Sequence, residues 1–92
     1  MSYQVLFEPA ADRDLDDLPP KTQARVVRQI EALADTPRPA ASRELSGRLR
    51  GLYRLRVGDY RVAYAVDEPA QEIMVWAVGP RRGFYERLAR KR

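Results

Sequence analysis

Three permanent cations stand in the best strand-forming stretch of this chain. The segment YRLRVGDYRVAYAV, residues 53–66, carries Arg54, Arg56 and Arg61 among tyrosines, valines and a leucine. Further on, VGPRRGFYER, residues 78–87, adds Arg81, Arg82, Arg87 and Tyr85. A guanidinium presents a planar fork of donors that matches the oxygens of a phosphate. Several of them around one phosphodiester would offset the charge that develops when that linkage is attacked. The competing explanation is structural: a solvated strand face on which arginine stems lie flat and their heads reach water.

Other chemistries are excluded by what the chain lacks. It has no histidine and no cysteine among its 92 residues. The usual acid–base pair, thiolate nucleophiles, disulfides and the common zinc donor sets are therefore ruled out. No carboxylate cluster has metal-ligand spacing, so neither a cofactor nor a metal is expected. Charge is divided unevenly. Residues 1–36 hold seven acids against four bases, net −3, and residues 37–92 hold thirteen bases against six acids, net +7. All the bases but Lys21 and Lys91 are arginine. Such a division favours a polyanionic partner.

The length points to one domain over residues 1–92. No apolar run approaches the roughly 18 residues of a membrane span, and MSYQVLFEPA lacks the basic start and apolar core of a signal peptide. A cytoplasmic protein with no membrane partner is expected.

The arginines need elements to hold them. Tyr3–Phe7 reads as a first strand. Pro9 suits the first turn of a helix, and Ala11, Leu15 and Leu18 recur at helical spacing. Pro19-Pro20 separates this helix from a second over residues 21–35, with Val26, Ile30 and Leu33 on one face. Thr36-Pro37-Arg38-Pro39 stops it. Residues 38–51 read as a loop anchored by Leu45 and Leu49. Strands follow at 52–57, 60–66 and 71–79, and Gly83 to Arg92 reads as a short basic helix. The fold class expected is α+β, in the order β-α-α-β-β-β(-α). A small, mainly antiparallel twisted sheet is covered on one face by the helical hairpin.

Strand geometry sorts the side chains, because successive residues point to opposite faces. With Gly58-Asp59 as a two-residue turn, Val57 lies opposite Tyr60, Leu55 opposite Val62, and Arg56 opposite Arg61. Tyr53, Leu55, Val57, Tyr60, Val62, Tyr64 and Val66 then form the apolar face. Arg54, Arg56 and Arg61 share the other face with Ala63 and Ala65. Like charges directly across a ladder destabilise it by a few tenths to about one kcal/mol, and a bound anion would convert that repulsion into affinity. If residues 67–70 turn so that Val66 faces Gln71, Arg61 lies opposite Trp76 and Ala63 opposite Met74. The indole would then be placed to stack on a base; a slip of one residue would send it inward to the core. Gly79-Pro80 ends regular pairing, so strand phase does not aim Arg81 and Arg82. Tyr85 reads either as core filler or as a functional ring.

The chain resembles the RelE/ParE superfamily of bacterial toxins from toxin–antitoxin pairs. The resemblance covers nearly the full length, and its most specific parts are the G-D-Y-R-V-x-Y core and the V-G-x-R…Y ending. It implies a ribosome-dependent messenger RNA endonuclease in which the ribose 2′-hydroxyl attacks the adjacent phosphate without a metal. The residues that correspond to the RelE site are Arg54, Arg56, Arg61, Arg81 and Tyr85. Arg48, Arg50, Trp76, Arg82 and Arg87 are expected to contact RNA around it. The first two basic positions, often lysine in that branch, are Arg54 and Arg56 here. Arginine effectively cannot lose its proton, so neither is a general base. Glu44 is the nearest loop carboxylate for that role. Otherwise the ribosome supplies the acceptor, or catalysis is weak. The resemblance also implies the ribosome and mRNA as partners and an acidic cognate antitoxin encoded beside this gene. Two rival readings share the fold: a ParE-type inhibitor of DNA gyrase with no nuclease activity, and a non-catalytic RNA-binding protein.

Overall fold

In a computed structural model that describes residues 2–91, five strands form one sheet in the order β1-β5-β4-β3-β2. The chain runs β1 (Gln4–Phe7), α1 (Pro9–Asp16), α2 (Pro20–Ala32), β2 (Ser42–Glu44), a 3₁₀ turn (Gly47–Leu49), β3 (Tyr53–Val57), β4 (Tyr60–Asp67), β5 (Glu72–Pro80) and α3 (Phe84–Lys91). All neighbouring strands are antiparallel except β1, which lies parallel to β5. The expected α+β class therefore holds, and the element order differs in one place: residues 38–51, expected to be a loop, contain strand β2 and the 3₁₀ turn. No described helix is long and apolar enough to cross a membrane.

Helices α1 and α2 each begin on a proline. Its missing N–H is no loss there, since the first helical N–H groups have no intrahelical acceptor. The stripes Ala11 and Leu15 on α1, and Val26 and Ile30 on α2 with Leu33 just beyond, are buried. They pack on Leu55, Val57, Val62, Tyr64, Ile73, Val75 and Val78 of the sheet. Burying one such side chain contributes roughly 1.5–3 kcal/mol, so this face supplies the greater part of the stability. Helix α2 stops at Ala32 rather than Asp35; Leu33 to Thr36 form turns that close on Ile30, Glu31 and Ala32 carbonyls.

The β3–β4 hairpin has the expected register, with Val57 opposite Tyr60, Leu55 opposite Val62 and Arg56 opposite Arg61. Gly58 has φ +59° and Asp59 does not have a positive φ, the pattern of a type II′ turn. The expected pairing of the next strand does not form. Residues 68–71 make a four-residue turn with Gln71 at φ +56°, so Val66 lies opposite Ile73. A β-bulge follows: Ala63 pairs with Ala77 and Tyr64 with Val75, leaving Trp76 as the extra residue. Arg61 consequently lies opposite Gly79, and Ala63 opposite Ala77.

The second sheet face has its own smaller core. Leu52, Ala63, Ala77, Phe84 and Leu88 are buried there, with Leu45, Leu49, Ala65 and Trp76 packed against them. Helix α3 thus covers part of the face opposite the helical hairpin; its expected extension to Arg92 lies outside the described residues. Where β1 ends, β5 needs another partner at that edge. Asp14 of α1 supplies it: its carboxylate accepts from the Val78 N–H at 3.0 Å and from Lys91 Nζ of α3 at 2.8 Å. One carboxylate therefore ties α1, β5 and α3 together.

Candidate functional site

Cross-strand partners share a face, so the register fixes which arginines meet. Arg56 is paired with Arg61, and Arg54 sits between Arg43 on β2 and Ala63 on β4. Small residues continue these rows into β5, with Ala77 beside Ala63 and Gly79 beside Arg61. The small residues on β4 and β5 let Phe84 and Leu88 of α3 pack closely over Ala63 and Ala77, beside the arginine row.

Arg61 is the centre of the group. It is 8% exposed, the one charged residue among those described that is buried. Its Nη1 donates to the carbonyls of Gly58 and Tyr60, each at 3.0 Å. The hairpin turn thereby holds the guanidinium in place. Burial pushes its pKa below the ordinary arginine value, and the charges of Arg54, then Arg56 and Arg81, push the same way; Tyr85 acts in the opposite sense. An arginine still remains charged at neutral pH. Arg54 is half-buried, and its Nε is shielded from solvent with no hydrogen-bond partner. Arg56 is exposed.

The end of β5 and the start of α3 bring the remaining members. The Arg81 N–H donates to the Asp59 carbonyl at 2.8 Å, which fastens this segment to the hairpin turn. Gly83, at φ +73°, then redirects the chain into α3. Phe84 and Leu88 anchor that helix in the smaller core, and Tyr85 is left 41% exposed with its ring edge-on to Phe84 at 5.5 Å. An exposed aromatic ring with a buried neighbour for support is a stacking surface.

Several expected contacts take other roles. Arg87 turns back on its own loop, donating to the carbonyls of Arg82 and Pro80 at 3.0 Å each. A Cβ at Gly79 would lie 2.9 Å from its Nη2, so glycine there makes space for this brace. Arg82 is exposed beside Arg81, and Arg48 and Arg50 are exposed around the 3₁₀ turn. Trp76 does not face Arg61. The bulge and the longer turn carry it along β5, where it lines a cavity of about 250 Å³ with Met74, Ala65, Glu8, Asp67 and Glu72. Three carboxylates make that a poor place for a nucleotide. Glu44 pairs with Tyr53 and so lies on the helical-hairpin side of the sheet, away from the arginines. Its candidacy as general base is withdrawn for that reason. In the other direction, β2 adds Arg43, which the sequence reading passed over. Ser-Arg-Glu has no apolar alternation to mark a strand, and only the pairing with β3 reveals it.

Arg54, Arg56, Arg61, Arg81 and Tyr85 are therefore assembled on one side of the molecule, as expected. The arrangement is a fixed field of positive charge with an aromatic ring at its margin. It suits a phosphate whose negative charge grows during reaction.

Comparison with known proteins bears on the family. Residues 5–85 match the family described as the ParE toxin of the type II toxin–antitoxin system parDE. Toxin RelG of Mycobacterium tuberculosis is 34% identical over 89 residues, covering 95% of this chain and 100% of the relative. Among solved structures, the toxin–antitoxin complex RelBE2 of the same organism contains a chain with TM-score 0.81 and 32% identity, covering 88% of this chain and 100% of that one. The archaeal RelE–RelB complex of Pyrococcus horikoshii gives TM-score 0.77 at 31% identity, covering 89% and 98%.

Proposed function

The chain belongs to the RelE/ParE superfamily of type II toxin–antitoxin toxins, in its RelE-like branch, and from that premise we propose that it is a ribosome-dependent endonuclease of messenger RNA. The observation that carries this reading is the buried guanidinium of Arg61, on which Arg54, Arg56, Arg81 and Tyr85 all act. A cationic group buried among other cations is unfavourable for the fold alone. It becomes useful when a polyanionic transition state sits over it.

In the proposed reaction the ribose 2′-hydroxyl oxygen bonds to the adjacent phosphorus. The bond from phosphorus to the 5′-oxygen of the next nucleotide breaks, leaving a 2′,3′-cyclic phosphate, and the departing 5′-oxygen takes a proton from water to become the 5′-hydroxyl. The 2′-hydroxyl proton goes to an acceptor outside the arginine group, because arginine does not give up its own protons. The ribosome is the proposed source of that acceptor. Arg61 and Arg54 face the non-bridging oxygens, with Arg56 and Arg81 flanking them. Tyr85 stacks on an unpaired base and fixes the strand.

An acidic antitoxin encoded beside this gene is the proposed partner, neutralising the arginine face when it binds. The RelBE2 toxin–antitoxin complex and the RelE–RelB complex support a cognate antitoxin as partner; its acidity, its gene position and its seat on the arginine face are part of the proposal.

A translating extract with a defined messenger tests the activity. The protein should cut at codons, and Arg61→Ala should lower the cutting rate by about 10²–10³. The ParE family match keeps a second reading, inhibition of DNA gyrase, in view. Intact messenger together with blocked supercoiling would replace the first reading with the second.

A further inference from the structure

We propose that Arg43 on β2 is a flanking-phosphate residue, holding the RNA phosphate next to the one over Arg61 and Arg54. The inference rests on the RNA reading above and extends it by one nucleotide.

The ladder places the side chain. Arg43 pairs with Arg54, and the Leu45 N–H continues the ladder by donating to the Leu52 carbonyl at 2.8 Å. Leu45 and Leu52 both belong to the smaller core beneath α3. Residues two apart share a face, so Arg43 and Arg54 lie on that side as well. Ser42, one residue away, pairs with Leu55 of the larger core and bonds the Pro39 carbonyl, which confirms the alternation. Arg43 is exposed. The ion pairs among the described residues are Arg38 with Glu68 and Lys91 with Asp14, and no side-chain hydrogen bond uses Arg43. Its charge stands directly across from Arg54, one strand spacing of about 4.8 Å further from Arg61. Opposed like charges weaken a ladder.

A charged residue on an edge strand also discourages sheet-to-sheet association. Glu44 and Arg43 both serve that end, but only Arg43 lies in the arginine row. Edge protection needs no particular sign of charge, whereas a phosphate contact does. The two roles therefore differ in salt dependence.

The test is affinity for 2′-O-methyl RNA, which cannot be cut, measured against salt for four proteins: wild type, Arg43→Gln, Arg61→Gln and Arg28→Gln. Arg28 is exposed on α2, on the opposite side of the sheet, and serves as a control. With a nine-nucleotide RNA, loss of one phosphate contact should lower the log–log salt slope by about 0.7 for Arg43→Gln and leave it unchanged for Arg28→Gln. With a dinucleotide, which has one phosphate, Arg43→Gln should bind as wild type does. An unchanged slope for Arg43→Gln beside a lowered slope for Arg61→Gln overturns the role of Arg43 alone. Unchanged slopes for both overturn it together with the RNA reading. Weakened dinucleotide binding by Arg43→Gln overturns the flanking assignment.

Discussion

Replacing Arg54 by methionine should make the protein more stable and less active at once. The substitution keeps the long stem and removes the charge and its donors. In the structure Arg54 stands directly across from Arg43 and depresses the pKa of Arg61. Each like-charge neighbour costs a few tenths to about one kcal/mol. Its Nε is buried without a partner. A fully desolvated polar group costs about 1–3 kcal/mol, and the half-exposure of Arg54 reduces that figure. The net gain expected for Arg54→Met is about 1–2 kcal/mol. For a chain of this length that raises Tm by about 5–15 °C. Cutting in the translating extract should fall by about 10²–10³. Thermal melts followed by circular dichroism at low salt and at 1 M salt separate the contributions. The repulsive part should shrink at high salt, where the Debye length is about 3 Å, and the part from the buried Nε should persist. A Tm at or below that of wild type at low salt would refute the claim that this face is held against its own repulsion.

Two further outcomes follow from contacts away from the arginines. Asp14→Ala should destabilise by about 1–2 kcal/mol in urea denaturation, because the partly buried Val78 N–H loses its acceptor. Asp14→Asn keeps an acceptor and should cost less than about 1 kcal/mol, the ordinary range for a part-exposed ion pair; equal losses for the two variants would contradict the dual role. Glu68 accepts from Arg38 and from the Tyr3 hydroxyl, each at 2.8 Å, and these bonds hold its carboxyl below its ordinary value. A depressed folded value means that its contribution is present above the unfolded value, about 4.3, and is lost as pH falls through the lower folded one. Wild type should therefore lose Tm more steeply than Glu68→Gln as pH drops below about 5; superimposable pH profiles would show that the network contributes nothing.

The hairpin at residues 53–66 was legible in the sequence because a two-residue turn leaves only one register, and that register alone sorts the arginines from the apolar face. The next strand was not, because a four-residue turn and the bulge at Trp76 each shift the pairing, and neither has a signature in residue type. The expected placement of Trp76 opposite Arg61 depended on that pairing and failed with it. Strand β2 was invisible for a different reason. It has three polar residues and gains its conformation from β3, not from its own propensity. Arg87 illustrates a third case, since nothing in a basic tail shows that one of its arginines is held by the carbonyls of its own loop. The helices were the easiest part, with prolines to start them and apolar stripes at helical spacing to orient them.

The parallel pairing of β1 with β5 sets an order of events during synthesis. Residues 4–7 are made early, yet among the described residues their only strand partner is residues 72–75. The N-terminal strand must therefore wait, unpaired, until nearly the whole sheet has been translated, and such long-range closure is slow compared with local hairpin formation. Arg81 and Tyr85 come later still. A nascent chain interrupted before those residues would carry the β3–β4 hairpin but not the assembled charge field, so an unfinished copy would lack the arginine group as a unit.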